Sequence, residues 1–232
     1  VIVGRQRIAT LAIVIPVHDE EQLLARCLTA MDDSVRLLAA RRPDIEVRVV
    51  VVLDACSDGS AEIAARFPVA VETIDVALVG AARAHGVGIA LAGADPATTW
   101  IANTDADSAV PLGWATVHVD LAERGADLVL GTVRPDFADL SDAQIADWIA
   151  THEPGVAYGN THGANLGMRA DRYLAAGGFE SVAAHEDVIL VDHLREAGAR
   201  TVATADCEVL TSGRAEGRAP EGYAAFLAAN YG

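Results

Sequence analysis

Two carboxylates two residues apart, Asp105 and Asp107, stand just after an apolar run (Trp100, Ile101, Ala102) and shortly before Pro111. In an extended chain residues i and i+2 point to the same side. The spacing therefore predicts that the pair converges on one ligand or cation. Two hard oxygen donors suit Mg²⁺ or Mn²⁺, and such an ion can bridge to a substrate diphosphate. With 20 Asp in 232 residues, roughly one or two Asp-x-Asp pairs arise by chance, so the pair gains weight only from its surroundings. Asp54 closes another apolar run, where its ordinary role is that of a turn residue. Glu186 and Asp187 open an amphipathic helix, where the helix dipole favours acids with or without chemistry. Ahead of them, residues 155–167 are rich in Gly, Asn and His, a long irregular stretch that a compact domain keeps mostly for function. His18, His162 and His185 read more readily as surface or satisfied core residues than as catalysts. Trp114 and Trp148 read as packing.

Composition narrows the classes. A 52% hydrophobic chain of this length can bury a substantial core. A net charge of −16 argues against nucleic acid and anionic membrane as partners, since both demand clustered Lys and Arg. It also means that a bound polyanion needs a metal or local arginines to offset repulsion. Cys27, Cys56 and Cys207 are odd in number and widely spaced, which indicates neither a zinc site nor a disulfide framework and fits a reducing cytosol. The apolar run at residues 11–17 is too short to span a bilayer and lacks the layout of a signal peptide. The expectation is a cytoplasmic protein with no transmembrane segment.

The elements that must position these residues alternate. A doubly buried strand at residues 11–15 is ended by Pro16, and a helix runs from the acidic start at residues 18–21 to about Ala40. A strand at residues 47–53 leads into the turn cluster 54–60, where Ser57 or Asp58 could cap a short helix at 61–66. A strand at 69–74, a helix at 80–91 and a strand at 99–104 follow, the last ending in the acidic pair. Gly86, Gly88 and Gly93 fall inside the helical pattern and not between strand and helix. They suit close packing against a sheet better than a dinucleotide loop. A helix at 114–124 and a strand at 127–132 complete the alternation. Beyond Pro135 come a helix inside 136–153, the irregular stretch, a turn at Gly177-Gly178-Phe179, a helix from about His185 to Gly198, a strand at 201–211 and a helix-like segment at 223–229. The fold class is an α/β/α sandwich with a mostly parallel sheet, which binds ligand at the carboxyl ends of its strands.

Taken in order, Ile13-Val14-Ile15-Pro16-Val17-His18-Asp19-Glu20-Glu21, the Asp54…Asp58-Gly59-Ser60 turn, Ala82-Arg83-Ala84-His85, Thr104-Asp105-Ala106-Asp107, Gly163-Ala164-Asn165…Arg169, Gly177-Gly178-Phe179 and Glu186-Asp187 form an ordered set. Each motif alone is weak; the ordered set is strong. It resembles the family 2 nucleotide-sugar glycosyltransferases of the GT-A type, over roughly residues 8–214. The resemblance implies a Rossmann-like sandwich and inverting transfer of a sugar from a UDP-, GDP- or dTDP-sugar to an acceptor hydroxyl, assisted by Mn²⁺ or Mg²⁺. The acceptor, whether saccharide, lipid or small molecule, is left open. One domain over residues 1–232 is implied, with a donor part at about 8–134 and an acceptor part at about 135–214. Pro16, His18 and Glu20 would form the mouth of the nucleotide pocket, Asp54 would bind the base, and Arg83 would lie near the donor. Asp105 would touch ribose or sugar and share the metal with Asp107. Gly163 and Asn165 would help to bind substrate, Glu186 would contact acceptor or donor sugar, and Asp187 would be the general base.

Three departures stand out. The 54–60 turn is one residue shorter than the common pattern. His85 replaces an Asn. Where many members carry a metal-binding His near the end, this chain reads Leu210-Thr211-Ser212-Gly213-Arg214, so that Arg214 could partly neutralise the diphosphate instead. Because the chain stops at Gly232, a C-terminal acceptor element is expected to be missing. Two other functions compete with this reading. A nucleotidyltransferase would want a Gly-rich, basic loop after the first strand, where this chain is acidic. A non-catalytic nucleotide-sugar-binding module would have no need of both the acidic pair and Asp187.

Overall fold

The computed structural model describes residues 7–182 and 184–214, together with Leu227 and Ala229. Most of the expected 223–229 helix lies outside the described residues. Apolar alternation builds the layers. In β1 (Thr10–Val17), Leu11, Ile13 and Ile15 face one side of the sheet and Ala12 and Val14 the other, so both faces are buried. The chain continues through α1 (Leu24–Arg41), β2 (Glu46–Asp54), α2 (Ser60–Ala64), β3 (Ala70–Ile74), α3 (Val79–Ala90), β4 (Thr99–Asn103), α4 (Trp114–Glu123) and β5 (Leu128–Pro135). Then come α5 (Asp142–Thr151), β6 (Leu166–Arg169), α6 (Ala170–Ala175), α7 (Glu186–Glu196) and β7 (Thr201–Thr211). The seven strands lie in the order β3-β2-β1-β4-β6-β5-β7. Every neighbouring pair is parallel except those made by β6, which runs antiparallel between β4 and β5.

Helices cover both faces. On one side Leu24, Leu28 and Met31 of α1 pack with Trp114 and Val119 of α4 against Leu11, Ile13 and Trp100. On the other, Ala82 and Val87 of α3, Tyr173 of α6 and Leu190, Val191 and Leu194 of α7 cover Val14, Val52, Ile101 and Met168. A Cβ at Gly86 would lie 2.6 Å from Val14 and 2.9 Å from Val52, so this glycine lets α3 sit close on the sheet. Gly88 faces open space and Gly93 turns left-handed after the helix, so of the three only Gly86 serves that packing. The helix α5 begins with a Ser141–Gln144 capping box, in which side chain and backbone satisfy each other's orphan groups.

Two sequence expectations need correction. Pro16 does not end β1, which runs on to Val17. Val14 accepts a bond from Thr104 N on the β4 side, and Pro16, two residues later, faces the same side beyond the end of β4. Its missing N–H therefore leaves no ladder bond unmade. The strand β6 carries no clear sequence signal, because Leu166-Gly167-Met168-Arg169 is short and holds a glycine, ordinarily a strand weakener. Here the glycine is required: a Cβ at Gly167 would overlap His118 and Trp100.

His118 belongs to a buried polar chain. Trp100 Nε1 donates to His118 Nδ1 at 3.3 Å, and Trp114 Nε1 donates to Asn165 Oδ1 at 2.9 Å. His118 Nε2 lies 3.4 Å from that same oxygen, and Asn165 Nδ2 donates to the carbonyls of Thr132 and Cys207 at 2.9 Å each. Trp100 supplies a proton to Nδ1, so only the neutral Nε2–H imidazole fits; a second ring proton would set donor against donor. Burial pushes the His118 pKa down to about 4 from 6.5, against the pull of Asn165. The unfolded chain binds the proton first, so the contribution is full above about pH 6.5 and is lost as pH falls toward 4. The loss amounts to about 3 kcal/mol. Urea titrations at several pH values should show wild type losing about that much more than His118→Gln, which can accept from Trp100 and donate to Asn165 without titrating. Parallel pH profiles would refute the assignment.

Candidate active site

The loops that leave the carboxyl ends of the parallel strands carry unusual backbone. Asp19 (φ 51°), Ala55 (φ 51°), Ala77 (φ 55°) and His185 (φ 64°) are non-glycine residues in the left-handed region, at a cost of roughly 1–2 kcal/mol each. Three follow β1, β2 and β3, and the fourth caps α7. Specific bonds hold the first three in place. The Asp19 carboxylate accepts from Ser57 N at 2.7 Å and Asp58 N at 3.2 Å, Ala55 N donates to Ile74 O at 2.9 Å, and Ala77 N donates to Asp54 Oδ1 at 2.8 Å.

Asp54 does not present a free carboxylate for a base. It is buried, Oδ1 accepts from Val76 N and Ala77 N at 2.8 Å each, and Oδ2 accepts from Leu78 N at 2.9 Å. It latches the 76–78 loop, a role the sequence resemblance did not give it. Its own carbonyl accepts from His18 Nδ1 at 2.7 Å. A carbonyl can only accept, so the His18 proton sits on Nδ1. Pro16, His18 and Asp54 thus meet at the ends of β1 and β2, next to each other in the sheet.

Arg83, on α3, is buried with its guanidinium shared by two acids. Nη2 donates to Asp105 Oδ1 at 2.6 Å, and Nη1 donates to Glu186 Oε1. The guanidinium carbon also lies 5.8 Å from the Phe179 ring centroid. Burial by itself would lower the Arg83 pKa, but Asp105, Glu186 and Asp187 outweigh it and hold the group above its usual value. Glu186 is pushed up by burial, with Arg83 pulling it back. Gly163 makes room for this: a Cβ there would overlap the guanidinium. Gly163 therefore stands beside the site as a spacer.

The acidic pair is not extended. β4 ends at Asn103, and residues 106–107 form a turn. The two carboxylates take separate arginines, Asp105 pairing with Arg83 and Asp107 with Arg214 at 3.1 Å. They still share a field. Burial first, and Asp105 next, push the Asp107 pKa up to about 6, with Arg214 opposing. Arg214 also makes a two-pronged pair with Glu20, at 2.9 and 2.5 Å. Ala109 pairs with Leu210 in an isolated bridge, and Thr211 Oγ1 donates to Asp107 Oδ1 at 3.3 Å, so the end of β7 brings Arg214 to the acidic turn. The sequence signal for Arg214 is its place where the family resemblance leads one to expect a metal-binding His.

Asp187 lies half-buried in the first turn of α7 and accepts from Val188 N at 2.8 Å. His162, half-buried, sits in the fields of Asp187 and Asp105, which oppose the lowering of its pKa by burial. The sequence offered it only as one more polar residue of the irregular stretch. Asn165 is not brought to the cleft; its amide is spent on the Trp114, Thr132 and Cys207 bonds of the core. Among the described residues, the ligand-type side chains close enough to share an ion as a trio are Asp19, Cys56 and Asp58, a different place from the expected pair. There the Asp19 carboxylate is already bonded to backbone N–H groups, and burial raises the Cys56 thiol. For the expected metal, the chemistry of the donor set fits at Asp107. Asp107 and Glu20 offer hard oxygens and already converge on one cation, Arg214 Nη2. The Asp54 latch is directly testable. Asp54→Ala should cost about 2–4 kcal/mol in denaturant titrations. It should also raise amide exchange at Val76, Ala77 and Leu78 by about tenfold or more. Unchanged protection of those three amides would refute it.

Solved structures share this arrangement of elements. S. aureus TarS 1-349 in complex with UDP-GlcNAc superposes with a TM-score of 0.64 at 14% identity, covering 92% of this chain and 61% of that one. The mannosyltransferase PcManGT from Pyrobaculum calidifontis, in complex with GDP-Man and Mn²⁺, gives 0.62 at 21% identity, covering 91% and 59%. Glucosyl-3-phosphoglycerate synthase from Mycobacterium tuberculosis, in complex with Mn²⁺, UDP and phosphoglyceric acid, gives 0.50 at 16% identity, covering 84% and 67%. The chain thus spans about three fifths of the length of the first two. No curated protein matches it. The family model for glycosyl transferase family 2 matches residues 12–174, from β1 through the Arg83 and Asp105 positions and past β6 into α6. With most of its length matched and the site residues grouped at the carboxyl ends of a GT-A-like sheet, the chain belongs to glycosyl transferase family 2.

Proposed function

We propose that the chain transfers a sugar from a nucleoside diphosphate sugar to an acceptor hydroxyl, with inversion at the anomeric carbon and with the help of Mn²⁺ or Mg²⁺. The observation that carries this reading is the Arg83 bridge. One guanidinium joins Asp105, on the loop after β4, to Glu186, the neighbour of Asp187 at the start of α7. The loop that carries the donor-side carboxylate and the helix start that carries Asp187 are thereby tied to one guanidinium. The donor complexes of TarS and PcManGT support the same substrate class, and the Mn²⁺ of PcManGT supports the same cofactor.

In this reading residues 8–134 hold the donor and residues 135–214 the acceptor. The nucleoside lies at the ends of β1 and β2 against Pro16 and His18, with Glu20 at the mouth and the latched 76–78 loop as a wall. Asp105 orients ribose or sugar, and Glu186 contacts a sugar hydroxyl from the far end of the Arg83 bridge. An Mn²⁺ or Mg²⁺ ion held by Asp107, with Asp105 nearby, would stabilise the negative charge that grows on the leaving diphosphate. The acceptor hydroxyl reaches Asp187, whose field extends to His162. Its oxygen attacks the anomeric carbon from the face opposite the diphosphate, and the Asp187 carboxylate takes the hydroxyl proton. The bond from carbon to the phosphate oxygen breaks, and its electron pair leaves with the diphosphate. Among the described residues no helix is long and apolar enough to cross a membrane. Together with free Cys27, Cys56 and Cys207, this favours the cytoplasm as the compartment.

A thermal-shift screen of UDP-, GDP- and dTDP-sugars with and without Mn²⁺ should single out one nucleotide, with stabilisation rising as ligand exceeds its dissociation constant. Asp107→Ala should abolish the gain from Mn²⁺; equal donor affinity with Mn²⁺ and with EDTA in the wild type would refute metal assistance. Asp187→Asn should lower turnover by about 10²–10⁴-fold while donor affinity stays near wild type. Near-normal turnover in that variant, or a retained anomeric configuration in the product, would overturn the base assignment.

A further inference from the structure

A catalytic cation site is ordinarily open to its ion, but here a side chain already stands in it. Arg214 Nη2 lies 2.5 Å from Glu20 Oε1 and 3.1 Å from Asp107 Oδ2, while Nη1 binds Glu20 Oε2 at 2.9 Å. Glu20 and Asp107 are mostly buried, with side chains 7% and 18% exposed, and Arg214 is 26% exposed. The arginine is held from behind as well. Its N–H donates to Ser212 Oγ at 3.2 Å, and Ser212 Oγ and Gly213 N bond Asp139 Oδ2 at 3.2 and 2.9 Å. The seat is therefore built, and it opens onto a cleft of about 380 Å³ lined by Glu20, Ser212 and Arg214 among others.

We propose that Arg214 is the resident counter-cation of the donor site, that it bars a free divalent ion from Asp107, and that the metal therefore enters only together with the donor's diphosphate. The proposal rests on the metal-assisted reading above and deepens it. The physics is occupancy and repulsion. Seated, Arg214 offsets one of the two negative charges of Glu20 and Asp107. Asp105, whose field also reaches Asp107, is paired with Arg83, and an ion at Asp107 would stand a few ångströms from a guanidinium. Two cations at that separation repel strongly in a partly dry site. A diphosphate reverses the balance by bringing several negative charges of its own. Arg214 can then turn from Asp107 to the phosphate oxygens, which suit a planar fork of donors, and Asp107 is released to the ion. A metal-binding histidine at this position would add a ligand and no fixed charge; an arginine makes the site conditional.

The test measures binding and needs no turnover. Mn²⁺ is titrated into the whole chain, and free Mn²⁺ is read from its electron paramagnetic resonance signal, with and without UDP or GDP, each against the same nucleotide without protein. Wild type should bind Mn²⁺ weakly alone and at least about tenfold more tightly with the nucleotide. Arg214→Gln, which keeps a polar side chain without the charge, should bind Mn²⁺ alone at least about tenfold more tightly than wild type. Adding Asp107→Asn to that variant should remove the gain, which separates this site from the Asp19, Cys56 and Asp58 trio. Arg214→Lys, which retains a charge but not the fork, should still exclude the free ion, and it keeps the test decisive if the glutamine variant folds poorly. Equal affinity for Mn²⁺ alone in wild type and Arg214→Gln, or free Mn²⁺ bound tightly by both wild type and Arg214→Lys, would overturn the proposal. No Mn²⁺ binding by wild type in the presence of either nucleotide would overturn it by another route, because the metal-assisted reading would then fail first.

Discussion

The buried guanidinium of Arg83 is the constraint around which this site is arranged. Removing a cation from water costs several kcal/mol unless charge and hydrogen bonds return to it, and α3 carries its arginine into a position that is 3% exposed. The compensation comes from distant parts of the chain: Asp105 from the loop after β4, Glu186 from the start of α7 and the Phe179 face from the turn before it. The two acidic segments cannot move independently without stranding a charge. A lysine would not serve, since a single ammonium cannot bind two carboxylates through separate nitrogens of a planar fork. The same demand explains Gly163, where any side chain would occupy the space the guanidinium needs.

Around that anchor, strain is concentrated at the carboxyl ends of β1, β2 and β3. Left-handed alanines at positions 55 and 77 gain nothing locally from their conformation, unlike a glycine or asparagine. They persist because the surrounding bonds fix them, above all the Asp54 carboxylate with its three backbone donors. Such loops hold a prepared shape before ligand arrives, which lowers the ordering cost of binding. The price of that preparation is stability, supplied by a sheet buried on both faces.

The fold was legible because its signals are local and repeated. Continuous apolar runs, helical spacing and turn clusters gave the alternating elements, and the residues of β7 were read with their boundaries as 201–211. What escaped was decided by partners far away in the chain. The strand β6 contains a glycine whose reason is the Trp100 and His118 side chains. Asp54 resembled a base-binding residue because its chemistry and place are right, but which hydrogens it accepts depends on where the 76–78 loop lies. Asp105 and Asp107 were read as one extended pair, and the turn after Asn103 sends each to its own arginine. Arg83 and Glu186 were named separately, and no spacing rule announces an ion pair between positions so far apart.

One short segment links the core to both arginines. Gly163 and Asn165 belong to a single turn of 3₁₀ helix. Gly163 bounds the space of the Arg83 guanidinium, and Asn165 donates to the Cys207 carbonyl in β7 and to the Thr132 carbonyl in β5. β7 runs on from Cys207 to Thr211, which bonds Asp107, and then to Arg214. A side chain that touches no ligand position thus helps to fix where both site cations sit. The bonds that fix it are of a neutral kind: Trp114 donates to Asn165, and His118 fits beside it only as the uncharged imidazole. The motif containing Gly163 and Asn165 is therefore best understood as a spacer between the buried polar chain of the core and the charged groups of the cleft. Its glycine answers to the charged groups and its asparagine to the core, a division that the family resemblance, which implied substrate contact for both, does not show.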